Sequence, residues 1–227
     1  MKSFLRRLMY YGIGFVISTM FVVLFFENRG CSWLPENRVK GSLLTKMIII
    51  SEKNRSKFSW LKSEKDFISF ANEAEVDFER SQTHADHKVY LFSSKQHKVY
   101  FVIPKDAFVG EMVPFDSKQS SKIRFSKEGY GEIIVSPKQK DFLFIQKKDS
   151  ISTQVKKLNW RDDEFAYKII KDHSKFNFST SNMELKDQKV HTLEVTLDTS
   201  MVEIKAIWYK DKMNIIKINS IYSKLCH

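Results

Sequence analysis

Two of the six histidines, His84 and His87, lie on either side of Asp86 in the stretch "THADH". Imidazole and carboxylate groups at this spacing could coordinate zinc. A zinc site, however, needs further ligands and hydrogen-bonded support for its histidines. The sequence contains no Cys-x-x-Cys or His-Glu-x-x-His motif that could supply those ligands. We therefore expect no bound metal, and we place both histidines in a solvated loop before a strand.

A site that cleaves phosphodiesters would need a general base and a cation close to the phosphate. Two short stretches could supply both groups: His87 with Lys88, and Lys189 with His191. No glycine-rich phosphate loop, serine elbow or Cys-His signature accompanies them. Because catalysis requires converging groups, we assign no catalytic, cofactor-binding or metal-binding residue. The sequence favours a protein without enzymatic activity, and a degenerate RNase-like enzyme is the alternative.

The N-terminus contains a long apolar run, from Leu8 to Phe26, which has 19 residues and no charge. About 20 apolar residues in a helix cross a hydrocarbon core of roughly 30 Å. A cleavable signal peptide has a shorter apolar region of roughly 7–15 residues. The length therefore predicts an uncleaved transmembrane helix that stays in the protein.

Cys31 follows this run at the place where a bacterial lipoprotein would be cut and acylated. A lipoprotein signal requires small residues there, and Arg29 would put a charge into the protease groove. We expect no lipidation, and we read Trp33 and Pro35 as parts of a membrane-exit segment. The second cysteine, Cys226, could pair with Cys31 in an oxidising compartment, or both could stay unpaired.

Basic residues on the two sides of the apolar run indicate its orientation. Lys2, Arg6 and Arg7 crowd the first flank, whereas Arg29 is alone in the seven positions that follow the run. The positive-inside rule then places the N-terminus in the cytoplasm. We expect a single-pass protein of the bacterial inner membrane with its soluble part in the periplasm.

The chain is basic, with 38 Lys and Arg, 27 Asp and Glu, and a formal charge of +11. The excess is concentrated in two segments, residues 40–65 and 117–140. Basic residues next to an anchor gain roughly 1 kcal/mol each near an anionic bilayer, which makes membrane lipid a candidate partner. Nucleic acid is the competing partner that a basic charge suggests, but no recognition motif supports it. A solvated lysine-rich surface explains the charge equally well.

The soluble part contains an internal similarity with an offset close to 100 residues. The stretch "DFISFANEAEVDFERSQTHADHKVYLF" (66–92) resembles "AYKIIKDHSKFNFSTSNMELKDQKVHTLEV" (166–195). Order and spacing are kept across the two stretches, so we predict a duplication. The matched residues are Phe78 with Phe178, Ser81 with Ser181, Asp86 with Asp187, Lys88 with Lys189, and Val89 with Val190.

Both copies have the same predicted elements: a strand, helices, and three or four antiparallel strands. Apolar residues recur at helical spacing after "SEKD" (63–66), a capping-box start, and alternate with polar ones over 193–197 and 202–208. We predict an α+β fold, in which one transmembrane helix precedes two tandem repeats of helices packed on an antiparallel sheet. The predicted divisions are a cytoplasmic tail (1–7), the transmembrane helix (8–26), a membrane-exit segment (27–40), a first α+β repeat (41–116), a basic linker with a hairpin (117–140) and a second α+β repeat (141–227).

Two stretches resemble a known group of sequences. "NRGCSWLPENRVK" (28–40) and "VDFERSQTHADHKVYLF" (76–92) are similar to Bacteroidota membrane proteins with an anchor helix and modules of the domain of unknown function 4258. The second copy lacks the Thr-His pair of that pattern. The resemblance implies a bacterial envelope protein and brings no established catalytic residues. Single modules of this kind look like small toxins with an RNase-like fold, which is the source of the enzyme alternative.

Taken together, these features predict an envelope-anchored binding or scaffold module, or an accessory subunit of a membrane complex. The expected partners are membrane lipid, through the anchor and the basic segment beside it, and a protein of unknown identity. Nucleic acid is not favoured as a partner, and no cofactor is expected.

Overall fold

The computed structural model describes residues 2–29, 34–116, 123–137, 142–145, 148–183, 188–197 and 200–223. The expectations for Cys31, Trp33 and Cys226 lie outside these residues, as do parts of the predicted linker. The chain divides into two compact units, residues 1–41 and 42–227.

The first unit contains a long helix, α1 (Lys2–Arg29), and most of a second, α2 (Pro35–Leu44). Within α1, the segment Phe4–Leu24 is long and apolar enough to cross a membrane, and none of it is buried within the protein. Pro35, which we read as part of a membrane-exit segment, is the first residue of α2. Proline fits this position well, since the first helical residue needs no N–H donor.

The second unit is a mixed α/β structure built on one large sheet. Its helical elements are a 3₁₀ helix (Glu52–Phe58), α3 (Glu64–Glu73), α4 (Asp149–Lys157) and α5 (Asp163–His173). Its strands are β1 (Met47–Ser51), β2 (Glu75–Thr83), β3 (His87–Ser93), β4 (Lys98–Pro104), β5 (Val109–Pro114), β6 (Tyr130–Val135), β7 (Leu143–Ile145), β8 (Ser174–Asn182), β9 (Val190–Leu197), β10 (Ser200–Tyr209) and β11 (Lys212–Ser223).

Local sequence signals account for the helix starts. The side chain of Ser63 accepts the backbone N–H of Asp66, and the carboxylate of Asp66 accepts the backbone N–H of Ser63, which is the predicted capping box. Asp162 caps α5 in a similar way, through the backbone N–H of Phe165. Each cap satisfies N–H groups that have no partner inside the helix.

The strands form one continuous 11-stranded sheet in the order β2-β3-β4-β5-β1-β6-β8-β9-β10-β11-β7. Neighbouring strands are antiparallel except at two places, where β1 runs parallel to β5 and β7 runs parallel to β11. The prediction of a purely antiparallel sheet is therefore wrong at these pairs. In both cases a strand is followed in the sequence by two helical segments and four antiparallel strands. The last of these four strands pairs in parallel with the first strand.

The segment before β6 does not form the predicted hairpin. Residues 123–127 contain no strand, and β6 pairs with β1 on one side and with β8 on the other. The middle strand of the sheet therefore comes from the part of the sequence that we had treated as a linker. This strand, β6, joins the strands of the first similar stretch and those of the second into one continuous sheet.

Strands β2 and β8 are interrupted by the same arrangement of hydrogen bonds. In β2 the hydroxyl of Ser81 donates to the carbonyl of Asp77 and accepts the amide N–H of a residue in β3. In β8 the hydroxyl of Ser181 donates to the carbonyl of Asn177 and accepts an amide N–H from β9. Each serine therefore forms hydrogen bonds with backbone groups where its strand is irregular, a common role of polar side chains.

One buried cluster of the described residues contains side chains of β1, β5, β7–β11, α4 and α5. Phe178 lies in this cluster and is 2% exposed, whereas Phe78 is 47% exposed at the edge of the sheet. The two phenylalanines, which match in the sequence, therefore differ in burial. β6 and Phe125 cover Phe178, and β2 has no strand on its outer side in the described part of the sheet.

Candidate anion-binding cleft

A cleft of about 670 Å³ lies where five stretches of the chain meet. Its lining includes His87 at the start of β3, Pro104 at the end of β4, and Arg124 in the segment before β6. Lys189, which immediately precedes β9, completes the basic side of the cleft. The cleft therefore depends on segments that are far apart in the sequence.

His87 is buried, with 4% of its surface exposed, so the prediction of a solvated loop is wrong for this residue. Register pairing with Pro104 on β4 holds its backbone inside the sheet. Its Nδ1 lies 2.7 Å from Oδ1 of Asp86, and its ring stacks on that of His84 with 4.5 Å between ring centres. The ring orientation is therefore fixed from two directions.

Arg124 faces both histidines, because its Nη1 atom lies 3.4 Å from Nε2 of His84 and 3.4 Å from Nε2 of His87. A guanidinium group only donates hydrogen bonds, so Nε2 of His87 is the acceptor and its Nδ1 donates to Asp86. The charge of Arg124 also opposes a metal cation between the histidines. Among the described residues, no group of three or more His, Cys, Asp or Glu side chains could hold a metal ion.

Lys189 binds the other side of the same loop. Its Nζ donates to the backbone carbonyl of Asp86 at 3.2 Å. Desolvation lowers the pKa of Lys189 despite the nearby carboxylate of Asp86. Desolvation acts to raise the pKa of Asp86, but the hydrogen bond with His87 and the charge of Lys189 leave it lowered. Asp86 therefore connects the two cationic sides of the cleft.

Hydroxyl groups form the remaining polar wall. Ser126 lies on one side of the cleft, and Ser179, Thr180 and Ser181 lie on the other, in the irregular part of β8. The charged lining residues are Asp86 and three cations, Arg124, Lys127 and Lys189. The hydroxyls of Ser126 and Ser181 donate within the protein, so Ser179 and Thr180 carry the hydroxyl groups left for a ligand. The cleft thus combines an excess of positive charge with two hydroxyl donors, a set of groups that binds oxyanions.

A second and smaller cleft of about 240 Å³ also includes His84 and His87 in its lining. Lys46 and Lys88 are among its other lining residues. Burial lowers the pKa of Lys46 to about 8, an effect that Asp211 and Asp106 partly offset. The Nζ atom of Lys46 also donates to the carbonyl of Ala107. His87 therefore borders both basic clefts, whereas His84 lines only the smaller one of the two.

Of the residues considered from the sequence, His87 and Lys189 meet at the first cleft, but His191 does not. His191 is completely buried, and its ring lies 4.1 Å from that of Phe108 between ring centres. Desolvation lowers the pKa of His191 to about 3. It is a core residue, so its nomination as a catalytic partner of Lys189 is wrong. Lys88 is exposed, and of the two clefts it lines the smaller one.

Sequence reasoning did not identify Arg124 as a site residue. The only signal was the excess of basic residues over 117–140, which we had attributed to a linker. Comparisons with protein-family models, curated proteins and solved structures give no match to this chain.

Proposed function

We propose that this protein is a membrane-anchored binding protein that holds a small phosphate-bearing ligand in the cleft formed by His87, Arg124 and Lys189. The observation that carries the proposal is the convergence of Arg124 and Lys189 on the Asp86–His87 pair. These groups come from distant segments and are held by direct contacts. A surface that is only solvated would not need this organisation.

The chemistry of the cleft favours phosphate over an uncharged ligand. Hydrogen bonds from charged donors to an oxyanion are roughly twice as strong as those between neutral groups. Arg124 and Lys189 supply such donors, and Ser179 and Thr180 supply neutral ones. A volume of about 670 Å³ is in the usual range for small-molecule sites.

The anchor is the second part of the proposal. The apolar segment Phe4–Leu24 supports membrane attachment by its length and exposure. Lys2, Arg6 and Arg7 before it support a cytoplasmic N-terminus. This orientation would put the cleft outside the cytoplasm, where we propose that the protein acts as a binding module of the cell envelope.

We also propose that the sheet unit arose by duplication. The support is the common order of elements, because β1 and β7 each precede two helical segments and four strands. Strand orders β2-β3-β4-β5-β1 and β8-β9-β10-β11-β7 are the same, and Ser81 and Ser181 make matching hydrogen bonds. The cleft would then combine an element of the first copy with one of the second.

Calorimetric titration tests the proposed ligand class. The full chain in mild detergent would be titrated at low salt with inorganic phosphate, pyrophosphate and sodium chloride. We expect phosphate and pyrophosphate to bind saturably. Arg124→Gln should weaken binding by about tenfold or more, since a hydrogen bond to a charged group contributes roughly 1.5–3 kcal/mol. Arg161→Gln, which changes an exposed arginine outside the cleft, is the matched control.

Equal binding by the wild type and by Arg124→Gln would contradict the proposal. A signal that sodium chloride reproduces at the same ionic strength would also contradict it, because general screening would then explain the heat.

An RNase-like activity is the second candidate, and the 2.7 Å contact between Asp86 and His87 favours it. A carboxylate that orients an imidazole can produce a general base, and Arg124 could stabilise charge on a phosphate. Burial of His87 and the contact of its Nε2 with Arg124 argue for binding. Incubation of the full chain with RNA separates the two functions, since only an enzyme would show cleavage that His87→Ala abolishes.

A further inference from the structure

The outer edge of β2 is one of the two free edges of the described sheet. β2 is the first strand of the sheet, so only β3 pairs with it in the described part of the chain. Phe78 on this edge strand is 47% exposed. An edge strand with an exposed aromatic side chain is a template for pairing with another strand.

The protein itself contains the matching arrangement at β8. Strand β6 pairs antiparallel with β8, with Gly131 opposite Phe176 and Glu132 opposite Lys175. Gly131 lies against the ring of Phe178, because an added Cβ would be 2.9 Å from Cε2 of that ring. A glycine in the added strand therefore lets the phenylalanine ring pack beneath it.

The edge of β2 has the backbone features that receive β6 at β8. Ser81 and Ser181 make the same hydrogen bonds within their strands. In addition, Oδ1 of Asp77 accepts the backbone N–H of Arg80, as Oδ1 of Asn177 accepts that of Thr180. The irregularity is the same in both strands. Phe78, which follows Asp77 on β2, therefore corresponds to Phe178, which follows Asn177 on β8. What β2 lacks, among the strands that the structure describes, is a covering strand.

The two edges carry opposite charges at the position that faces residue 132 of β6. Lys175 on β8 lies opposite a glutamate of β6, and the position with the same spacing on β2 is Glu75. Glu79 is also exposed on β2. These acidic residues are notable in a chain with a formal charge of +11. They oppose a covering strand that carries a carboxylate and favour one that carries a lysine or arginine.

We propose that β2 is a docking edge for a basic extended segment of a partner protein, which adds to the sheet antiparallel to β2. The segment carries a glycine opposite Val76, beside the ring of Phe78, and a lysine or arginine opposite Glu75. Main-chain hydrogen bonds supply the general affinity of such strand addition, and the side-chain positions supply its specificity. This inference is independent of the proposed phosphate cleft.

The test uses three labelled peptides based on residues 127–135, the covering strand of β8. The first contains Glu132→Lys, which supplies the basic residue. The second has the native sequence, and the third contains both Glu132→Lys and Gly131→Val. Fluorescence anisotropy would measure their binding to the full chain in mild detergent. We expect the first peptide to bind at least about tenfold more tightly than the other two, a difference that like-charge repulsion or a blocked aromatic ring can produce.

Variants of the full chain locate the bound peptide. Phe78→Ala should weaken the first peptide by about fivefold or more, because the exposed ring is the expected anchor. Phe144→Ala is the control, since Phe144 is 42% exposed on β7 at the opposite edge. Glu75→Lys should reverse the preference between the first peptide and the native one, whereas Glu164→Lys should not.

Equal affinities for the three peptides would overturn the proposal, as would unchanged binding by Phe78→Ala. A wild-type chain that sediments as a dimer, with Phe78→Ala as a monomer, would also overturn it, because the occupant would then be a second copy. Arg124→Gln should leave peptide binding unchanged, so a failure of the phosphate cleft and a failure of the docking edge can be told apart.

Discussion

The carboxylate of Glu111 accepts two hydrogen bonds from Ser126, one from its backbone N–H at 2.7 Å and one from its hydroxyl at 2.6 Å. Glu111 is completely buried on β5, and Ser126 lies two residues after Arg124 and lines the candidate cleft. Desolvation raises the pKa of Glu111 to about 7, although the hydrogen bonds from Ser126 act in the opposite direction. The segment that carries Arg124 is therefore held by a carboxyl group that titrates near neutral pH.

Glu111 should make the sheet unit less stable as the pH rises. Its pKa is 4.5 in the unfolded chain and about 7 in the folded protein, so the folded state binds the proton more tightly. Stability from this group is complete below the unfolded value and is lost as the pH rises to the folded value, by about 3 kcal/mol in total. Relative to Glu111→Gln, the wild type should lose free energy of unfolding between these pH values.

Denaturant unfolding of the full chain in mild detergent measures this difference. Glu164→Gln, at an exposed position of α5, serves as the control. Parallel pH profiles for the wild type and Glu111→Gln would show that Glu111 does not change its affinity for protons on folding.

His191 should have the opposite pH dependence. Its pKa falls from 6.5 to about 3 on folding, so protons bind to the unfolded state first as the pH falls. The stability is complete above the unfolded value and is lost by several kcal/mol as the pH falls toward the folded value. His191→Leu should remove this loss, because an apolar side chain suits a site between Phe108 and Phe176. Unfolding at a series of acidic pH values would reveal it, and an unchanged acid transition would count against it.

Phe178→Ala should reduce the free energy of unfolding by about 3–5 kcal/mol, because it leaves a cavity in the core. Phe78→Ala should change it by less than about 1 kcal/mol, since Phe78 is largely exposed. The pair is a matched comparison of one residue type at similar places in two sequence stretches. Equal losses in denaturant unfolding would mean that both rings are buried to the same extent.

The full chain should sediment with membranes and stay there in high salt or carbonate, because the exposed apolar segment Phe4–Leu24 needs a lipid environment. A reporter fused after His227 should be active outside the cytoplasm, and an active cytoplasmic reporter would reverse the proposed orientation. Cys31→Ser should leave attachment intact. Loss of attachment in that variant would instead identify a lipoprotein.

Several elements could be predicted from the sequence because they depend on neighbouring residues. The apolar run after Arg7 indicates a membrane-compatible helix by its length and composition. Ser63 and Asp66 form the predicted capping box three residues apart. The alternation over β10 predicts a strand with one buried face, and the burial pattern agrees from Met201 to Ala206. Each of these signals acts over a few positions, so the sequence displays it directly.

Other properties depend on which distant segments come together, so they emerge only in the folded protein. Phe78 and Phe178 have similar sequence surroundings, yet only Phe178 is covered, since β6 pairs with β8 and not with β2. Likewise, His87 and Arg124 are 37 residues apart in the chain, and their contact depends on the path of the segment before β6. Local elements depend on residues that are close together in the sequence. Burial and the cleft followed from long-range strand pairing, which residue type and spacing do not specify.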